Sequence, residues 1–133
     1  METTKGQKVL IVDDDKFLLD MYCMKFSKNG FEVHGMPGGT EALALLRGGI
    51  RPDIIMTDLV MPNIGGFDFL ETVSKENLAP KAIRIILTNQ GQASDIEKAK
   101  QIGVDGYIVK ASTIPSEVVE QVKKIFEEHS KHK

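Results

Sequence analysis

The sequence predicts a single α/β domain, a parallel five-stranded sheet with helices on both faces. Three observations carry that expectation. Short apolar runs recur at even intervals, segments of helical length separate them, and acidic, hydroxyl and basic residues stand directly after several of the runs.

In chain order, Val9-Leu10-Ile11-Val12 is too short for a helix and rich in β-branched residues, so it reads as a strand. Residues 15–29 follow as a helix that Gly30 stops. A second strand covers 31–36. Residues 40–47 carry Ala42, Leu43 and Leu46 at helical spacing and end at Gly48-Gly49. Ile54-Ile55-Met56 is the third strand, and Phe67, Leu70 and Val73 mark the third helix. Residues 83–87 form the fourth strand. Ser94-Asp95-Ile96-Glu97 has the capping-box pattern and is expected to open a fourth helix, with Ile96, Ala99 and Ile102 inward. Tyr107-Ile108-Val109 is the fifth strand. The fifth helix opens at Thr113-Ile114-Pro115, where proline is tolerated, and carries Val118, Val122, Ile125 and Phe126. The polar tail, from His129 to Lys133, is expected to fray. Strands one and three suit burial on both faces.

Composition bounds the rest. The chain has 133 residues, 17 Lys and Arg against 19 Asp and Glu, and a net charge of −2. At 41% apolar residues it is too apolar for a disordered chain. The near-neutral balance argues against nucleic acid or an anionic membrane as principal partner. No apolar run exceeds five residues, against the ~20 a membrane helix needs. The opening Met1-Glu2-Thr3-Thr4-Lys5-Gly6 lacks the apolar stretch of a signal peptide. One cysteine, Cys23, excludes an intramolecular disulfide and reads as a small packed thiol. His34, His129 and His132 show no metal-ligand spacing and read as solvated. The expectation is a cytoplasmic single domain.

Open α/β sheets bind ligands beyond the carboxyl ends of their strands. Here strand one is followed by Asp13-Asp14-Asp15, strand three by Thr57-Asp58, strand four by Thr88-Asn89 and strand five by Lys110. With a strand order of 2-1-3-4-5, Asp14 and Asp58 would converge, flanked by Thr88 and Lys110. Two carboxylates about 5 Å apart repel by roughly 3 kcal/mol at an effective dielectric near 20. A hard divalent cation offsets that, and all-oxygen ligands favour Mg²⁺ over Zn²⁺. Such a site suits phosphoryl chemistry, with Asp58 as nucleophile, Lys110 neutralising phosphoryl oxygens and Thr88 donating its hydroxyl. Singly, each residue has an ordinary alternative: helix cap for Asp13 to Asp15, loop acid for Asp58, strand-end residue for Thr88, surface lysine for Lys110. Their conjunction at one edge favours the chemistry.

These stretches resemble a response-regulator receiver domain, over about residues 7–127. The similarity rests on Val9-Leu10-Ile11-Val12-Asp13-Asp14-Asp15, Asp58-Leu59-Val60-Met61-Pro62-Asn63-Ile64-Gly65-Gly66, Ile86-Leu87-Thr88 and Tyr107-Ile108-Val109-Lys110, with Gly39-Thr40-Glu41-Ala42-Leu43 resembling the opening of the family's second helix. It implies a flavodoxin-like doubly wound (βα)5 fold with strand order 2-1-3-4-5, and leaves residues 128–133 as a polar C-terminal tail. It further implies that Asp58 accepts a phosphoryl group from a phosphohistidine on a sensor histidine kinase or histidine phosphotransfer protein. Asp14 and Asp58 would bind Mg²⁺ (or Mn²⁺) directly, with Asp13 acting through water and the Val60 backbone carbonyl as a further ligand. Thr88 and Lys110 would hold the phosphoryl oxygens. Thr88 and Tyr107 would form the switch that repositions the face built from helix four, strand five and helix five. The implied protein is not an enzyme with steady turnover. It is a stand-alone receiver, monomer or phosphorylation-dependent dimer, with a downstream protein target and no direct nucleic-acid or membrane partner.

Two residues depart from the family pattern. Ala111 stands where proline usually follows the lysine in a cis bond, so the loop either strains or runs trans and aims Lys110 differently. Asn89 replaces a small residue, and with Val60 and Gln90 is expected to tune phosphoryl lifetime. The first helix is also more apolar than one face can bury, with Phe17, Leu18, Leu19, Met21, Tyr22, Cys23, Met24 and Phe26, which suggests a surface for docking the phosphodonor. Two other functions compete. A haloacid-dehalogenase-type phosphatase would need an acid two residues after its nucleophile, where Val60 stands. An interaction module that is never phosphorylated would not need the full set of Asp14, Asp58, Thr88 and Lys110.

Overall fold

The structure, a computed structural model, describes residues 6–89 and 91–131. Five strands, β1 (Lys8–Val12), β2 (Glu32–Met36), β3 (Ile54–Thr57), β4 (Ile83–Thr88) and β5 (Gly106–Val109), form one sheet in the order β2-β1-β3-β4-β5. All four pairings are parallel. Between and after them run α1 (Lys16–Lys28), α2 (Gly39–Arg47), α3 (Gly66–Lys75), α4 (Ala93–Ile102) and α5 (Pro115–Lys131).

Alternation along the strands sorts the core into two layers. Val9 and Ile11, Ile54 and Met56, and Ile83, Ile85 and Leu87 face α1 and α5, meeting Leu19, Tyr22, Phe26, Val118 and Val122. Leu10, Val12, Ile55 and Ile86 face the other way, toward Leu43 and Leu46 of α2, Phe69 and Leu70 of α3 and Ala99 of α4. A strand buried on both faces has no room for polar residues until it ends. Polar chemistry is thereby pushed to the strand ends.

Local signals explain most boundaries. Asp15 caps α1 by accepting from the Leu18 amide at 3.1 Å, and Lys25 and Lys28 sit in its last turn, where cations oppose the helix dipole. Gly30 follows at φ 93°, a left-handed conformation that glycine adopts without penalty.

The structure revises three expectations. The α4 capping box does not form. The backbone carbonyl of Gln92 already accepts from the amides of Asp95 and Ile96, so the helix starts before Ser94, which lies inside its first turn. Helix α5 continues to Lys131 rather than fraying from residue 129. His34 and His129 each lie against a carboxylate, with Nε2 of His34 2.9 Å from Glu32 and Nδ1 of His129 3.6 Å from Asp105. Gln90 and His132 lie outside the described residues. No helix is long and apolar enough to cross a membrane among the described residues.

Candidate functional site

Register brings the polar strand ends together. Val12 of β1 pairs with Thr57 of β3, and Thr57 with Ile86 of β4. The ladder runs one residue further, where the Asp58 amide donates to the Val12 carbonyl at 3.0 Å. Asp13, Asp58 and Thr88 therefore come to the same edge, and the chain leaving β5 adds Lys110.

Asp13 is the deepest carboxylate, 2% exposed. Its Oδ1 accepts from the Asp15 amide at 3.0 Å and its Oδ2 from the Lys110 ammonium at 2.6 Å. Asp58 is held the same way, by the Leu59 amide on Oδ1 at 2.7 Å and by Lys110 on Oδ2 at 2.9 Å. Asp14 is exposed beside them. Asp13, Asp14 and Asp58 each offer an oxygen, and all three oxygens lie within 4.8 Å of one another.

Charge is unbalanced here, three carboxylates against one ammonium. Burial raises the Asp13 carboxyl above its usual range, and the hydrogen bonds from Lys110 and the Asp15 amide only partly oppose that. Burial also works against the Lys110 ammonium, but its hydrogen bonds to Asp13 and Asp58 and their charges together hold it above the ordinary lysine value. A hard divalent cation fits what is missing: the donors are all oxygen and the uncompensated formal charge is two negatives.

Asp14, Asp58, Val60, Thr88, Asn89 and Lys110 line one cavity of about 270 Å³. Val60, with its side chain exposed, and Asn89 stand at its rim, while Thr88 is buried at the end of β4. Tyr107 does not line that cavity. It lies half-buried on β5 beside Ile86, packed with the α2–α3–α4 layer, and burial raises its phenol pKa. The turn carrying Lys110 contains no cis bond among the described residues. After β5 the chain passes through Ala111 as a short 3-10 turn, Lys110–Ser112, and Lys110 still reaches both aspartates.

Two contributions were not read from the sequence. Lys110 has its shorter contact with Asp13, a pairing across 97 positions that spacing alone does not reveal. Gly66 is the other. A Cβ there would overlap the Asp58 carbonyl and come within 2.9 Å of Leu59 Cα, so α3 can start this close to the nucleophile loop only with glycine. The adjacent glycines 65 and 66 were the available signal. On α1, Leu19, Tyr22 and Phe26 are buried, while Phe17 is 77% and Met24 51% exposed. The Cys23 thiol is half-buried, and burial pushes its pKa up.

The family described as response regulator receiver domain matches residues 9–123. The DNA-binding response regulator MtrA of Mycobacterium tuberculosis is 31% identical over 120 residues, which make up 90% of this chain and 50% of MtrA. The chemotaxis protein CheY of Thermotoga maritima is 35% identical over 121 residues, 90% of this chain and 98% of that protein. The chain thus spans about half the length of the MtrA relatives. Among solved structures, a CheY-like receiver domain protein from Methanospirillum hungatei superposes with a TM-score of 0.86 at 26% identity, covering 97% of this chain and 100% of that one. The chemotaxis response regulator CheY4 of Vibrio cholerae gives a TM-score of 0.81 at 27% identity, covering 91% and 99%.

Proposed function

The chain belongs to the response-regulator receiver family of phosphorelay signalling, and from that premise we propose that Asp58 is its phosphoacceptor. A carboxylate oxygen of Asp58 attacks the phosphorus of a phosphohistidine. The new O–P bond forms as the N–P bond breaks, and the displaced imidazole nitrogen keeps the electron pair and takes up a proton from solvent. Leu59 fixes the carboxylate through its amide, so the nucleophile is oriented before the donor arrives. Lys110 then moves from Asp58 Oδ2 to a phosphoryl oxygen, keeping Asp13 as its anchor, and Thr88 donates its hydroxyl to another. Asp14 and Asp58 would hold Mg²⁺ or Mn²⁺ directly, with Asp13 acting through water and the Val60 carbonyl as a further ligand, and a cation there supplies neutralisation of the phosphoryl charge.

One observation supports this reading above the others: a single buried ammonium bridges two carboxylates that share their edge with a third. A purely structural ion pair has no need of the third.

The reaction is the protein's own phosphorylation followed by slow loss of the group, without multiple turnover of a substrate. Its donor is a sensor histidine kinase or histidine phosphotransfer protein in the cytoplasm, and its output is contact with a protein target, reached through Thr88 and Tyr107. Phe17 and Met24, apolar and exposed on α1, are the surface that meets the donor. Incubation with acetyl phosphate and Mg²⁺, followed by intact mass, is expected to show one added phosphoryl group. The addition should vanish in Asp58→Asn and with a chelator. An unmodified wild-type mass, or steady turnover of a phosphomonoester, would overturn the proposal.

A further inference from the structure

The opposite end of β4 holds an unusual cation. Arg84 is half-buried, yet it joins none of the ion pairs among the described residues. Its Nη1 donates to the Ser74 hydroxyl at 2.5 Å, and its Nε is buried without any hydrogen-bond partner. Buried donors and charges are normally paired, because leaving either unmade is costly. The backbone does not explain the arrangement. The amide of Arg84 is already taken by Asp105 Oδ2 at 2.8 Å, and Asp105 makes no ion pair with the guanidinium.

Beside Arg84 lies a cavity of about 440 Å³ between α3 and α4, walled on its apolar side by Leu70, Ile102 and Val104. Its charged lining is Arg84, Lys75 and Glu71, a surplus of one positive charge. With Nη1 committed to Ser74, the edge of the guanidinium formed by Nε and Nη2 remains, and that edge matches the two oxygens of a carboxylate. Nε is closed off from solvent, so the guanidinium has to turn for that edge to meet a ligand in the groove.

We propose that this groove between α3 and α4 binds a small monocarboxylate with an apolar body, its head on Arg84 and Lys75 and its body on Leu70, Ile102 and Val104. The charge surplus suits a monoanion, and Glu71 opposes a doubly charged head. The site is separate from the acidic cavity: Arg84 and Thr88 lie four residues apart on β4, roughly 13 Å at the rise of a strand. Helix α4, which buries only Ala99 fully, forms one wall, so an occupant would brace a loosely packed element.

The test is an amide NMR titration of the intact, unphosphorylated protein with sodium hexanoate, alongside hexanol, acetate and hexyl phosphate. Hexanoate is expected to give saturating shifts clustered at Ser74, Lys75, Arg84 and Val104. Hexanol and acetate, each lacking half the recognition, should bind at least ten-fold more weakly, and hexyl phosphate more weakly than hexanoate. Arg84→Gln should weaken hexanoate at least ten-fold. The exposed Lys75→Gln, which leaves the core untouched, should weaken it several-fold. Shifts that never saturate, shifts centred on Asp58, affinity unchanged in Lys75→Gln or Arg84→Gln, or hexyl phosphate binding as tightly as hexanoate would overturn the proposal.

Discussion

Aspartates stand at both ends of the sheet, and the two ends treat them in opposite ways. At the amino-terminal end Asp53 and Asp105 lie apart, each closing one rung between neighbouring strands. Asp53 accepts from the Lys8 amide at 2.8 Å while its own amide donates to the Lys8 carbonyl at 2.8 Å. Asp105 does the same with Arg84, at 2.8 and 2.7 Å. At the carboxyl-terminal end Asp13, Asp14 and Asp58 crowd within 4.8 Å and share one ammonium. A carboxylate that satisfies a backbone donor is architecture. Carboxylates gathered against their own repulsion leave an excess of negative charge that a cation can neutralise.

The largest effect is expected at Lys110. Lys110→Ala leaves Asp13 and Asp58 without their common cation. Removing one member of a buried pair typically costs about 3–5 kcal/mol. The raised Asp13 carboxyl can take up a proton instead, so about 2–3 kcal/mol is expected here, read by urea unfolding in metal-free buffer. Adding Mg²⁺ should recover much of it.

Metal alone probes the same end. Mg²⁺ at a hundred times its dissociation constant should stabilise the wild-type protein by about 2.7 kcal/mol through linkage. Asp14→Asn should lose most of that gain, whereas Asp53→Asn should keep it. Differential scanning calorimetry with and without Mg²⁺ reads both.

The smallest effect belongs to the architectural end. Asp105→Ala or Asp53→Ala should cost about 1.5 kcal/mol, the low end for a hydrogen bond to a charged group, because both bonds are partly open to solvent. Labelling by acetyl phosphate should be unchanged. If these variants lost labelling, the two ends would not be separable in the way the geometry implies.

The division between the ends was half legible in the sequence. Five apolar runs gave five strands because buried parallel strands exclude polar residues until they end, and that rule also located Asp13, Asp14, Asp58, Thr88 and Lys110. Strand order is a different matter. Apolar runs do not say which strand pairs with which, and the order came from resemblance to a family. Pairings across long stretches of chain were invisible for the same reason: nothing local tells Lys110 to choose Asp13 as its nearer partner. Nor does anything local leave the Arg84 Nε without a partner. At α4 a local rule failed outright, since Ser94 and Glu97 fit the capping pattern but the carbonyl of Gln92 had already started the helix. Tertiary packing decides such contests between neighbouring start points.

If the crowded end carries a phosphoryl group, the acyl phosphate must sit on Asp58 and on neither of the other two aspartates. The most direct measurement is to phosphorylate the intact protein with acetyl phosphate and Mg²⁺, reduce the acyl phosphate with borohydride, and map the peptide by mass. Homoserine at position 58, and at neither 13 nor 14, is the predicted result; homoserine at another aspartate, or none anywhere, would contradict it.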